Sequence, residues 1–217
     1  MNREIIDFPL PMLRLTSVLW DIDWGSQSVG QDTGGGDQAV LNRFPRFKAS
    51  LGLRFERDGI GYWRALRSQL RGKQNAFRIR MADPVTMDSV GSVIDGDWLA
   101  WKNGLYIEPR PTVRCVAAVL AGATTILVDE TAALAPVQVG AHLSYADWPF
   151  LVEGRSGSGA AVTLQVALLR SAIPTNGAID LIPRGLFLAD DPMQGAPGYG
   201  RTLRSAPEMA LTEWITR

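Results

Sequence analysis

Residues 44–83 read FPRFKASLGLRFERDGIGYWRALRSQLRGKQNAFRIRMAD, and two successive periodicities in that stretch decide the fold. Phe47, Ala49, Leu51, Leu53 and Phe55 alternate with Lys48, Ser50, Gly52, Arg54 and Glu56. A period of two gives a strand with one apolar and one polar face. A turn is expected at Arg57-Asp58-Gly59. The period then lengthens: Ile60, Trp63, Leu66 and Leu70 make an apolar stripe on a helix expected over 60–71, ended by Gly72. Arg64, Arg67 and Arg71 lie largely off that stripe. A second strand follows, with Phe77, Ile79 and Met81 on one face and Arg78 and Arg80 on the other. A two-faced strand–helix–strand block without a catalytic group suits assembly better than chemistry.

On either side of this block the pattern is β. Residues 1–12 read as an extended arm, because Pro9 and Pro11 oppose regular structure. Val18, Trp20, Ile22 and Trp24 then alternate with Leu19, Asp21 and Asp23, which predicts a strand. Residues 25–38, GSQSVGQDTGGGDQ, hold five glycines and one aliphatic residue and read as a mobile loop. From 85 to 111 the periodicity weakens into an irregular excursion carrying Trp98 and Trp101. After Pro111, short strands are expected at 113–119, 124–129, 140–146, 149–153, 161–170 and 178–183. A glycine-rich tip at 154–159 and an Asn176-Gly177 turn punctuate them. Evenly spaced short strands of this kind predict a small antiparallel barrel or sandwich. Residues 190–207 are rich in proline and glycine. The final alternating run, Glu208 to Thr216, is open to pairing with either unit. The expected fold class is mainly β: an N-terminal unit over 1–112 and a small barrel unit over 113–217.

Composition fits a folded globular chain of 217 residues, with 46% hydrophobic and 20% charged residues. The net charge is zero, yet residues 1–83 carry 13 basic and 9 acidic side chains, while 84–217 carry 9 and 13. Eleven of the basic residues fall between Arg43 and Arg80. That density fits either a polyanion-binding face or a subunit-contacting one; no nucleic-acid motif accompanies it. The single cysteine, Cys115, excludes an intramolecular disulfide and reads as a small buried hydrophobe. No apolar run approaches the ~18 residues of a membrane span, and the first residues lack the blocks of a signal peptide.

Catalytic inventories come up short. His142, the one histidine, lies in a strand-like run, and no Gly-x-Ser-x-Gly elbow accompanies it. One histidine and one cysteine do not assemble a common zinc site. Asp21 and Asp23 share a strand face about 7 Å apart by strand geometry, between Trp20 and Trp24. They are the one carboxylate pair that a glycoside hydrolase or sugar-binding module could use. The alternation favours the simpler reading, an outward polar face opposite an inward aromatic one. The tip at 154–159 has neither phosphate-loop nor dinucleotide-binding spacing. No cofactor and no metal is expected.

The run Leu66-Arg67-Ser68-Gln69-Leu70-Arg71-Gly72-Lys73-Gln74-Asn75-Ala76-Phe77-Arg78, followed by Asp83, is a helix, then Arg-Gly, then a strand with Phe-Arg. It resembles the N-terminal ring-forming domain of distal tail proteins of long-tailed bacteriophages and gene transfer agents. Phe44-Pro45-Arg46-Phe47 is similar to the same tail proteins. Thr125–Asp129, Val139–Ser144 and Pro149–Val152 resemble the small β-barrel modules of tail-tip and hub proteins, and Leu186–Asp191 resembles their closing segment. The resemblance covers about two thirds of the chain through hydrophobic spacing and a few Gly and Arg positions. It implies a β-sandwich-like ring-forming domain and a homohexameric ring at the virion tail tip, assembled in the host cytoplasm. That ring would sit between the tail tube and the baseplate hub, around a lumen that passes DNA. Arg64, Arg67, Arg71, Lys73, Arg78, Arg80, Trp98 and Trp101 are then the candidates for subunit contact or lumen lining. Many such proteins carry a large C-terminal arm or carbohydrate-binding domain, for which a chain of 217 residues is short; receptor binding is therefore not expected. Another tail component, a carbohydrate module using Asp21 and Asp23, and a nucleic-acid binder remain the competing readings.

Overall fold

The alternating run at 46–53 forms the second strand from one margin of an open six-stranded sheet. The structure, a computed structural model, describes residues 3–8, 15–25, 27–31, 37–40, 44–81, 101–102, 105–106, 111–198 and 204–217. In chain order, β1 (Ile5–Asp7), β2 (Leu15–Asp23), β3 (Gln27–Gln31), β4 (Asp37–Val40) and β5 (Arg46–Leu53) precede helix α1 (Arg57–Leu70). Then come β6 (Ala76–Arg80), β7 (Trp101–Lys102), β8 (Leu105–Tyr106), β9 (Thr112–Cys115), β10 (Thr125–Asp129) and β11 (His142–Tyr145). The last are β12 (Trp148–Ser158), β13 (Ala161–Ala167), β14 (Ala178–Asp180), β15 (Arg184–Ala189) and β16 (Glu208–Glu213). The protein is mainly β, with two six-stranded sheets and one helix among the described residues.

The first sheet runs β1-β6-β15-β16-β5-β2, parallel at β1–β6 and antiparallel elsewhere. Its inner face carries Phe47, Leu51, Leu53, Phe77, Ile79, Phe187 and Leu211, all buried. The stripe Ile60, Trp63, Leu66 and Leu70 of α1 lies over that face. Trp63 is fully buried, stacked on Phe55 at 5.2 Å and tilted against Phe8 at 5.6 Å. Polar alternation held on the other side of β5: Lys48 and Ser50 are exposed. Gly52 departs from it and is buried, because a β-bulge at Leu15–Ser17 of β2 brings the Thr16 and Ser17 hydroxyls over its Cα.

Several expectations need correction. Arg57-Asp58-Gly59 is the first turn of the helix and not a preceding turn: Glu56 is the extended N-cap, and Ile60 N–H donates to the Glu56 carbonyl at 3.2 Å. Glycine at 59 lets the Phe55 ring approach, since a Cβ there would stand 3.3 Å from it. The helix ends at Leu70, with Arg71 in the left-handed region at φ 48°. The N-terminal arm contains β1, which pairs with β6 and buries Ile6 and Phe8; three residues are too few to show a period. Pro9 and Pro11 lie outside the described residues. The glycine-rich stretch contains a hairpin, β3–β4. Its pairing is by backbone hydrogen bonds, which leave no hydrophobic signature in the sequence.

The second sheet closes on itself as β10-β13-β12-β11-β14-β9, antiparallel throughout. Val113, Cys115, Ile126, Val128, Leu143, Phe150, Val152, Leu164 and Ile179 fill it. Asn176 and Gly177 do turn the chain, with Asn176 at φ 61°. The strands on either side are not hairpin partners, however: β13 pairs with β10 and β12, and β14 with β9 and β11. All barrel strands fall within residues 112–180, and β15 and β16 belong to the first sheet. The segment 113–217 is thus divided, and the barrel is an insertion between β6 and β15. Of the run 178–183 only 178–180 is strand, as β14; β15 of the other sheet starts beyond it, at Arg184.

Candidate functional site

The two-residue turn Ala146-Asp147 joins β11 to β12, and both residues have positive φ, 50° and 65°. Neither is glycine, so the geometry needs support from its surroundings. Three arginines supply it from the first sheet and the chain's last residues. Arg78 Nε donates to Asp147 Oδ2 at 3.0 Å, while its Nη1 donates to Asp7 Oδ1 at 2.8 Å. Desolvation is the largest influence on Arg78 and acts to lower its pKa. The two carboxylates together outweigh it and hold the guanidinium above its usual value. Arg184 Nη2 lies 3.5 Å from both Asp147 and Asp180. Arg217 Nη2 donates to the Asp147 carbonyl at 2.7 Å, with its guanidinium 3.5 Å from the Trp148 ring centroid.

A second anchor sits nearby. Glu213, 1% exposed, accepts from the Phe47 N–H at 3.1 Å and from Arg170 Nη2 at 3.0 Å. The Arg170 Nη2 also donates to the Pro45 carbonyl. His142, 9% exposed, meets Phe47 edge-to-face at 5.7 Å. The Arg184 N–H donates to Ser144 Oγ at 2.8 Å. Sheet and barrel are therefore joined by ion pairs and hydrogen bonds with an aromatic contact at the centre. None of Asp147, Arg170, Arg184, Glu213 and Arg217 stands out in the sequence. The one available signal is the Ala-Asp pair between two short strand runs, a spacing that fits a hairpin turn.

The cations of the strand–helix–strand block divide into two sets. Arg64, Arg71 and Lys73 have exposed side chains. Arg67 is turned onto its own chain, donating to the carbonyls of Pro192, Met193 and Gln194 at 3.3, 2.9 and 2.9 Å. Arg78 is engaged as above, and Arg80 is 4% exposed. Trp98 lies outside the described residues, as does the side chain of Trp101, whose backbone opens β7. The turn that Arg67 grips is held twice more: Trp63 Nε1 donates to the Gly195 carbonyl at 2.6 Å, and Gly72 admits Pro192. Met193 projects from it, 72% exposed, beside Asp191, whose Oδ1 accepts the Met193 N–H at 2.8 Å.

Where sheet meets barrel there is a cleft of about 630 Å³, lined by Phe44, Arg46, Trp148, Leu169, Arg170 and Ile215 among others. That volume is within the range of ligand and side-chain pockets. The carboxylate pair lies on the sheet's outer face. The Asp21 carboxylate accepts the Ile22 N–H at 2.7 Å. Asp23 pairs with Lys48 at 2.6 Å, and that bond, with the Gly25 N–H, holds its pKa below the usual value. A depressed carboxylate is the wrong starting point for a general acid at neutral pH. Burial pushes the Cys115 thiol up. Among the described residues no three His, Cys, Asp or Glu side chains come together to hold a metal, and no helix is long and apolar enough to cross a membrane. No protein-family model and no curated protein matches this chain.

Proposed function

We propose that the chain is a virion structural protein, a distal-tail ring subunit that joins a tail tube to a baseplate hub. The observation that carries this reading is the margin of the first sheet. Strand β2 is nine residues long and, among the described residues, pairs only with β5. Within it Leu19 is 62% exposed, and just beyond it Trp24 is 51% exposed. A monomer blunts such an edge; a ring subunit uses it to meet the next copy. In this reading the helix-covered sheet is the ring-forming domain, and the barrel inserted into it is a rigidly attached module. Arg64, Arg71 and Lys73 remain candidates for the lumen or a neighbour. The ring, six copies by the resemblance, surrounds a DNA-passing lumen without reading sequence.

Light scattering of the purified chain, with negative-stain imaging alone and in the presence of tail tubes, tests the reading. Closed rings are expected. A chain that stays monomeric in both conditions overturns it. A monomer that also binds a glycan points instead to a carbohydrate-binding module.

A further inference from the structure

Each margin of the first sheet carries one exposed aliphatic side chain, and the two lie on the same face. At one margin Ile6 and Phe8 enter the core, so alternation turns Ile5, which is exposed, to the outer face. At the other, Val18, Trp20 and Ile22 belong to the core side, so the exposed Leu19 also lies on the outer face. Among the described residues β1 pairs only with β6, and β2 only with β5.

The direction of the main-chain groups shows how the margins fit each other. The Ala76 N–H donates to the Glu4 carbonyl and the Phe8 N–H to the Arg78 carbonyl. Glu4, Ile6 and Phe8 therefore face β6, and Ile5 faces away from it. On β5 the Phe47 N–H goes to Glu213 and the Leu53 N–H to the Pro207 carbonyl, so its odd-numbered residues face β16. Leu51 is one of them and stands opposite Val18, which thus turns its N–H and carbonyl away from β5. Ile22, opposite Phe47, does the same, and its N–H is held by the Asp21 carboxylate.

Strand β1 runs parallel to β6, and four antiparallel pairings lead from β6 to β2, so the two margins run in the same sense. Copies related by rotation about an axis along the strands then meet margin to margin in parallel. An antiparallel contact would turn each successive copy over. In the parallel register that brings the Ile5 N–H to the Val18 carbonyl, Ile5 stands directly beside Leu19. Each side chain covers apolar surface that the other leaves exposed. We propose that β1 of one copy adds to β2 of the next in this register. The proposal rests on the self-assembling reading above and names the two strands and the residues that meet. The register has one opposing feature: Asp7 comes beside Asp21, and both are exposed.

Paired cysteines test it. Ile5→Cys together with Leu19→Cys is expected to give, on mild oxidation, a ladder of disulfide-linked dimers, trimers and higher species. Ile5→Cys with Asp23→Cys, about 13 Å out of register, should give dimers at most, as should each single cysteine. Cys115, fully buried, stays out of the reaction. In parallel, Ile5→Lys and Leu19→Lys should each raise the concentration needed for self-association about tenfold, and Ile5→Lys with Leu19→Glu should restore it. Asp21→Asn should lower that concentration about two- to fivefold. No ladder from the first pair, an equal ladder from the second, or charge changes without effect on assembly overturns the contact. Rings that persist in that case leave the ring reading standing with other surfaces. A chain that is monomeric throughout removes both.

Discussion

Trp63 illustrates how far one side chain ties distant sequence together. Its ring fills the space between Phe8, Phe55 and Phe77, and its indole N–H reaches the Gly195 carbonyl. Trp63→Phe should cost about 1–3 kcal/mol, chiefly from the buried carbonyl left without its donor; Trp63→Ala should cost about 3–5 kcal/mol. Urea denaturation of the two variants separates the hydrogen bond from the packing. Asp23 gives a pH-dependent counterpart. Its folded pKa is depressed, mainly by Lys48, so its contribution is present above the unfolded value and lost as pH falls through the folded one. Lys48 is raised by the same bond, and its share is lost as pH rises through its folded value. Lys48→Ala should bring the Asp23 titration, followed by carboxyl NMR, back up toward 3.8. The pair is half exposed, so the thermal midpoint should hardly move.

Elements were legible in proportion to their periodicity. The stripe of α1 and the buried set of β5 follow from spacing alone, because one side of each faces a core and the other faces solvent. What hid was short or carried no alternation: three-residue β1, the polar β3–β4 hairpin, and β15, whose Leu186 and Phe187 are buried on opposite faces. The joint between sheet and barrel was invisible for another reason. Arg170 and Glu213 are 43 residues apart, and Arg78 and Asp147 are 69 apart; only folding brings them together. The joint also makes a strong prediction. Arg170→Met strands the buried Glu213 carboxylate and should cost about 3–5 kcal/mol, whereas Arg170→Met with Glu213→Leu should recover most of it. The recovery stays incomplete, because the double variant takes the acceptor from the Phe47 N–H and the donor from the Pro45 carbonyl; thermal unfolding of the single and double variants checks this.

Taken as one body, the chain has an unusual order of assembly. The barrel is made from residues 112–180 and closes through neighbours that are close in sequence. The sheet is different: β16, its last strand, lies in its middle, between β15 and β5. A chain cut before residue 204 should retain a cooperatively melting barrel, with far-ultraviolet and near-ultraviolet signals, while α1 and β5 lose protection in hydrogen exchange. Loss of the barrel's signals as well would show that the two units fold only together.

That central strand has a consequence during synthesis. On a ribosome the N-terminal third emerges first, with β2 to pair with β5 and α1 to lie over it, but with the second edge of β5 still open. That edge waits for β16, which follows about 150 residues later. The barrel matures in the interval. The open β5 edge is thus the part of a nascent chain most exposed to pairing with its neighbours on the same message.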